Sequence, residues 1–338
     1  MPKGKYRTSA KVLGAPIHRG NPPVTVEQSA RAGTSPHHGG SAWLLLLFSP
    51  ALLASNMLVS RIAAGWVPPY ALTFWRWLLT GLLLVATLFP HLLRNSAALK
   101  REWKGLLVLG AIGMTVCGSA SYLAGESTTT VNIALIYAAS PVLMTLLARA
   151  MLEETLTAAR IAGIVLCILG VGAIVARGEP ESLLHLQFNR GDLWALFGSL
   201  GWALFSFLQV WIRSDLPGDV RLAAMALAGA LVAAPFTLVE ASQRGGLPFT
   251  GEGIALLSFT VLVSSWGSYK LYARFQQVAG VSFAGMAAYV APLWAALYGW
   301  VFMSERLQGY HLAGAALILP GIWLARSVPR TKPEPPIA

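Results

Sequence analysis

In a chain of 338 residues, 55% are apolar and only 12% are Asp, Glu, Lys or Arg, well below the roughly one quarter charged that soluble globular domains carry. Such a composition excludes an ordinary soluble enzyme. The net charge of +11 could suggest a nucleic-acid partner, but the basic residues gather in the tails and in alternate loops, which excludes that reading.

Residues 1–42 are rich in Pro, Gly, Ser, Thr and basic residues and are expected to form a disordered cytosolic tail. They lack the short apolar core and small-residue cleavage site of a signal peptide. Beyond them, a helix rising 1.5 Å per residue needs about 20 apolar residues to cross a bilayer. Ten stretches meet that length: 43–64, 70–90, 105–125, 128–150, 157–177, 192–212, 220–240, 253–274, 281–303 and 307–326. Alternating strands of the barrel type are absent, so the predicted fold is all-α and integral to a membrane.

The first span carries Asn56. The second carries Thr73, Arg76, Trp77 and Thr80 at helical spacing, and the third carries Thr115, Gly118, Ser119 and Tyr122 in the same register. Asn132, Tyr137 and Ser140 share one sector of the fourth span, which Pro141 is expected to kink. The sixth span offers Trp202, Phe205, Ser206 and Gln209, and the eighth Ser265, Ser268, Tyr269 and Tyr272. Pro292 sits in the ninth span where Pro141 sits in the fourth, and such paired weak points suit gating. Spans five, seven and ten carry no polar stripe and are expected at the periphery.

Hydrocarbon does not favour polar stripes, because unsatisfied polar groups there are costly. The stripes are therefore expected to line a shared, partly wet cavity. Hydrogen bonding between packed helices is the competing explanation. The substrate-contacting candidates are Asn56, Arg76, Trp77, Ser119, Tyr122, Asn132, Tyr137, Trp202, Phe205, Gln209, Ser265, Tyr269 and Tyr272. Arg76 stands out as a cation deep within a span, where a charge marks either a functional site or a fixed structural bond.

The chain repeats itself. Pro141, Glu154, Gly163 and Gly170 recur 151 residues later as Pro292, Glu305, Gly314 and Gly321. The glycines, seven apart, leave a small-residue stripe on spans five and ten that should face neighbouring helices. With the amino terminus in the cytosol, nineteen Lys and Arg fall on the cytosolic side and five outside. This bias favours both termini in the cytosol, and five spans per half then makes the halves inverted. The segments are a first repeat over 43–177, a linker over 178–191, a second repeat over 192–326 and a cytosolic tail over 327–338.

Two five-span halves, a proline in spans four and nine, an acid after each and a glycine-striped final span together resemble the EamA family of the drug/metabolite transporter superfamily. Leu53-Ala54-Ser55-Asn56 departs from the family's Trp-Gly before Ser-Asn, and Glu153-Glu154-Thr155 departs from its Glu-Arg, which Glu305-Arg306 keeps. The resemblance implies ten helices, a central cavity between inverted halves, alternating access and export.

The expected function is secondary transport of small organic metabolites, amino acids or amphipathic compounds, out across the bacterial inner membrane. A channel-like pore and a non-transporting scaffold stay open as alternatives. An enzyme is not expected, since no HExxH motif, intramembrane Asp pair or buried His cluster is present. No cofactor or metal is expected, Cys117 and Cys167 receive no role, and the partners are a small-molecule substrate and the lipid bilayer, with room for a homodimer. All fourteen acids lie in tails, loops or span ends, which speaks against a carboxylate proton relay. Glu126, at the border of the third span, is the one candidate for such a role.

Overall fold

The computed structural model describes residues 40–143, 146–147, 157–176, 189–284 and 287–325. The expected amino-terminal tail up to residue 39, most of the linker and the carboxy-terminal tail lie outside the described residues.

Ten helical elements follow one another among the described residues. They are α1 (Gly40–Ile62), α2 (Pro69–Arg94), α3 (Ser96–Leu109, continued through Gly110–Val116 and Cys117–Gly125), α4 (Thr130–Ala138) and α5 (Ala158–Val175). The second five are α6 (Arg190–Trp211), α7 (Gly218–Arg244), α8 (Gly251–Phe259, continued through Thr260–Gly267 and Ser268–Ala284), α9 (Ala287–Met303) and α10 (Gly309–Ala325). Six of them (α1, α2, α3, α6, α7 and α8) are long and apolar enough to cross a membrane, and the other four are shorter. The expected length of about 20 residues is met by these six, and the other four spans run into residues outside the described ones. In α4 the helix breaks at Ala139 and resumes at Ser140. Pro141 lacks the N–H that would bond back to Tyr137, and its ring crowds that carbonyl. The equivalent Pro292 sits inside α9, whose helix runs through it.

The strongest packing joins helices from opposite halves. α2 lies along its equivalent α7, and α5 along its equivalent α10. α1 packs against α9 and α8, while α6 packs against α4 and α3, which is the matching arrangement with the halves exchanged. Hydrogen bonds reinforce these seams: Trp294 Nε1 donates to Leu47 O at 2.8 Å, and Ser199 Oγ to Ile136 O at 3.1 Å. α7, expected at the periphery, instead joins the core cluster of Trp77, Met114 and Phe205. Two close approaches permit this: Gly229 lies against Met114 and the Gly110 carbonyl, and Gly81 lies against Leu227.

Polar ties hold each end of the bundle. At one end Glu305 pairs with Arg61 Nε at 3.4 Å and accepts the Thr130 N–H at 3.0 Å, so an acid of the second half caps the amino terminus of α4 in the first. Arg244 pairs with Glu126 at 2.8 Å, and Glu240 accepts the Ala71 N–H at 2.9 Å. At the opposite end Arg101 pairs with Asp215 at 2.5 Å and Lys270 with Asp219 at 3.4 Å. Between the ends the outer surface is apolar, with Leu231, Leu238, Leu293, Trp300 and Trp323 exposed, as a lipid-facing surface requires.

The glycine stripes of α5 and α10 face each other. A Cβ on Gly314 would lie 2.5 Å from Ile174 Cγ1, and one on Gly170 would lie 2.9 Å from the Gly314 carbonyl. Gly172, two residues away, has open space. Gly314→Leu is expected to destabilise the protein by about 1–3 kcal/mol through overpacking, while Gly172→Leu changes it by less than about 0.5 kcal/mol. Unfolding in mixed micelles checks the pair.

Candidate functional site

Arg76, the eighth residue of α2, is 4% exposed. A guanidinium out of water must be surrounded by acceptors or by opposite charge. Here the acceptors are neutral. Nε donates to Ser265 Oγ at 2.6 Å, Nη1 to Asn56 Oδ1 at 2.5 Å and to Tyr122 Oη at 2.9 Å, and Nη2 to the Ser264 carbonyl at 3.2 Å. None of the ion pairs among the described residues includes Arg76. Its Cζ lies over the Trp77 ring, 4.6 Å from the ring centroid, a cation–π contact that partly offsets lost hydration.

Four helices supply these groups: α1 through Asn56, α2 through Arg76 and Trp77, α3 through Tyr122, and α8 through Ser264 and Ser265. The first three belong to the first half and α8 to the second. Side-chain bonds tie the shell together. Tyr122 Oη donates to Asn56 Oδ1 at 3.2 Å, Asn56 Nδ2 to Ser121 Oγ at 3.3 Å, and the hydroxyls of Ser55 and Ser264 meet at 2.7 Å. One turn away Ser119 Oγ donates to Thr73 Oγ1 at 3.3 Å.

The second half's contribution depends on a local change of helix type. Residues Thr260–Gly267 of α8 form a π-helix, and so do Gly110–Val116 at the equivalent place in α3. π segments widen the helix and shift the register of the residues after them, and they are frequent at functional sites. In α8 the Ser268 N–H reaches back to Val263 O, while the Ser264 carbonyl takes Arg76 Nη2 and the Ser268 hydroxyl. Ser265 Oγ donates to Thr260 O, five residues back, at 2.9 Å and presents its lone pair to Arg76 Nε. The α3 segment does different work: Thr115 Oγ1 donates to Gly229 O at 2.8 Å and holds α7 in place.

Beside the guanidinium lies an aromatic cluster. Trp77 meets Tyr269 edge to face at 6.0 Å, and Trp202 lies tilted on Phe205 at 5.4 Å. Trp77 and Phe205 are buried, while Trp202, Trp266 and Tyr269 are partly buried and pack on the same core. The indole N–H groups of Trp77 and Trp266 are buried without an acceptor.

The structure thus brings Asn56, Arg76, Trp77, Tyr122 and Ser265 into one bonded cluster, with Ser119 and Tyr269 nearby, while Trp202 pairs with Phe205 in the adjoining core. It places other candidates elsewhere. Phe205 is a core residue packed on Gly113. Asn132 Nδ2 bonds Thr128 Oγ1 at 3.1 Å and Asp192 Oδ1 at 3.0 Å, at the end of the bundle where α6 begins. Tyr137 Oη donates to Cys117 O at 3.3 Å and fits against Gly198. The backbone carbonyl of Gln209 takes Arg221 Nη1 near the end of α6, and Tyr272 packs beside Ala42 and Leu46. Glu126 is held at the bundle end by Arg244. Ser264 and Trp266 were missed by periodicity at 100° per residue, because the π segment changes which side chains share a face. Their signal was the unbroken polar run Ser264-Ser265-Trp266 in an otherwise apolar span. No group of three or more His, Cys, Asp or Glu that could hold a metal occurs among the described residues.

A model of the EamA-like transporter family matches the sequence twice, over residues 40–176 and 189–327. The chain belongs to the EamA-like transporter family. Its relatives include the uncharacterized transporter YyaM of Bacillus subtilis, 25% identical over 70% of this chain and 74% of that protein. An uncharacterized transporter of Archaeoglobus fulgidus is 23% identical over 83% of this chain and 96% of its own length. The S-adenosylmethionine/S-adenosylhomocysteine transporter of Chlamydia muridarum is 24% identical over 82% and 91%. A crystal structure sharing 22% identity aligns with a TM-score of 0.56 over 85% of this chain and 96% of the other, which supports the fold. Family and relatives alike are transporters and not enzymes.

Among the described residues of this EamA chain the charged site occurs once. The position 151 residues after Arg76 is Leu227, which packs on Gly81. Ser265→Ala and Tyr122→Phe each remove an acceptor from one buried guanidinium, and each is expected to cost about 1–3 kcal/mol. Because both act on one group, the double variant should depart from the sum by more than about 0.5 kcal/mol, as a double-mutant cycle of unfolding in mixed micelles will show.

Proposed function

We propose that this EamA protein is a secondary carrier that exports small amphipathic organic metabolites, amino acids or compounds like them, by alternating access. Ten crossings, inverted halves and cytosolic termini complete the reading. The observation that carries it is the Arg76 cluster: a buried, unneutralised cation beside partly buried aromatic rings, assembled from both halves. An amphipathic anion complements both features, with its charged group on the guanidinium and its apolar body on the rings. The Chlamydia relative, whose name says that it carries S-adenosylmethionine and S-adenosylhomocysteine, supports an amphipathic, amino-acid-bearing substrate.

Alternating access needs ties between the halves that can close one end and release. Glu305 of the second half on Arg61 and Thr130 of the first fits that role at the end read as the outer one. The site holds neutral hydrogen-bonding groups where a proton relay needs a carboxylate, so exchange or facilitated diffusion fits better than proton coupling.

Counterflow of labelled tryptophan into proteoliposomes preloaded with an amino-acid mixture tests the proposal. Saturable uptake is expected, stimulated by internal substrate, unchanged by an imposed pH gradient and reduced about tenfold by Arg76→Ala. Uptake that rises linearly with concentration without saturating would favour the pore instead. Steep accumulation driven by the pH gradient and lost in Glu126→Gln would overturn the coupling assignment.

A further inference from the structure

We infer that the group this site recognises is a single carboxylate, received by Arg76 and the Trp77 indole N–H, and that a substrate's ammonium group is not read by charge. The inference rests on the carrier reading and specifies the ligand chemistry of that same site.

Three observations lead to it. The first is an unused donor set. Of the five N–H groups of a guanidinium, four of Arg76 have protein acceptors, leaving one Nη2 hydrogen without one among the described residues. Trp77 is 2% exposed, and its Nε1–H has no acceptor either. Arg76 Cζ lies 4.6 Å from the Trp77 ring centroid, so the two donors belong to side chains in contact. A buried donor left unbonded is costly, and an acceptor-only ligand group removes that cost at both places.

The second observation is what faces the indole N–H. Gly118 of α3 faces Trp77 Nε1, and a Cβ there would lie 3.4 Å from that nitrogen and 3.1 Å from Thr73 Cγ2. With glycine there, no side chain of residue 118 covers the donor.

The third is the absence of a carboxylate at the site, among the described residues, that could take a cation. Seven of the eight described acids are tied at helix ends: Glu102 to Ser214, Glu126 to Arg244, Asp192 to Thr128, Asp215 to Arg101, Asp219 to Lys270, Glu240 to the Ala71 N–H and Glu305 to Arg61. The eighth, Glu252, is exposed in the first turn of α8. Aromatic faces could hold a cation, but Trp77 already carries Arg76 and Trp266 carries Lys270, 5.7 Å from its ring centroid. The site is therefore donor-rich, positively charged and free of carboxylates among the described residues.

Four indole compounds of nearly equal size separate the possibilities: tryptophan, indole-3-propionate, indole-3-propionamide and tryptamine. Binding is measured by calorimetry on the full chain in detergent, with Trp77→Phe as the second protein because it keeps the ring and drops the N–H. Indole-3-propionate is expected to bind about as tightly as tryptophan, and about tenfold more tightly than the amide or tryptamine. In Trp77→Phe the preference for acid over amide should fall several-fold while the amide's own affinity changes little. Arg76→Gln, if it folds, should remove the preference altogether.

Equal binding of acid and amide overturns the inference, as does tryptamine binding as well as the acid, a preference unchanged in Trp77→Phe, or no binding by either acid. Counterflow keeps the two readings apart. If the amide or tryptamine is carried saturably, the carrier stands and the carboxylate assignment falls. If the acids bind but no solute shows saturable flux, the carrier reading falls and the binding site stands.

Discussion

A permanent positive charge buried among helices constrains everything around it. Leaving Arg76 unsolvated in a low-dielectric interior would cost several kcal/mol, so the protein must bring polar atoms to it. No carboxylate is used. The charge is met by a hydroxyl, an amide oxygen, a phenol and a backbone carbonyl, with an indole face beneath. Such a shell stabilises the cation without neutralising it, which keeps a positive potential inside the bundle. It also pins four helices to one point, because Arg76 sits on α2 while its acceptors come from α1, α3 and α8.

That point lies where the halves interlock. Equivalent helices pair across the molecule, α2 with α7 and α5 with α10, and the first helix of each half rests on the third and fourth of the other. Neither half can bury its faces alone. Close backbone approach at Gly170 and Gly314, and at Gly110 and Gly229, creates this interlock, since dispersion between closely packed helices replaces the hydrophobic drive that lipid does not provide. Charged groups are kept for the ends, where Glu305, Arg61, Glu126 and Arg244 tie one rim and Arg101, Asp215, Lys270 and Asp219 the other. Polar ties at rims can exchange protein partners for water when the halves shift, at lower cost than opening the apolar seams between them.

Symmetry in the backbone supports asymmetry in the chemistry. Both halves carry a π segment in their third helix, yet one serves Arg76 through Ser264 and Ser265 and the other anchors α7 through Thr115. α7, the equivalent of α2, carries no Lys or Arg between Arg221 and Arg244, so no second Arg76 exists there. Pro141 interrupts α4, whereas α9 continues past Pro292. A duplicated frame thus holds one charged site, offset toward the first half and completed by the second.

Much was legible in the residues themselves. Apolar runs revealed helices suited to a membrane, the 151-residue offset revealed the duplication and the family, and the lone Arg76 together with Asn56, Tyr122 and Ser265 marked the charged cluster. These features are local or periodic, and helical periodicity carries them faithfully. Periodicity did not reveal that Phe205 fills the core, that Asn132 holds Asp192 at a bundle end, that α7 lies inside the packing, or that Ser264 offers its carbonyl. Which partner a side chain meets depends on how helices distant in sequence dock. A π segment also moves the face that a fixed angle per residue would assign. The sequence by itself determined the solvent, the repeat and the charge to be accommodated; only the tertiary structure decided what accommodates it, because those acceptors come together through contacts up to 189 residues apart.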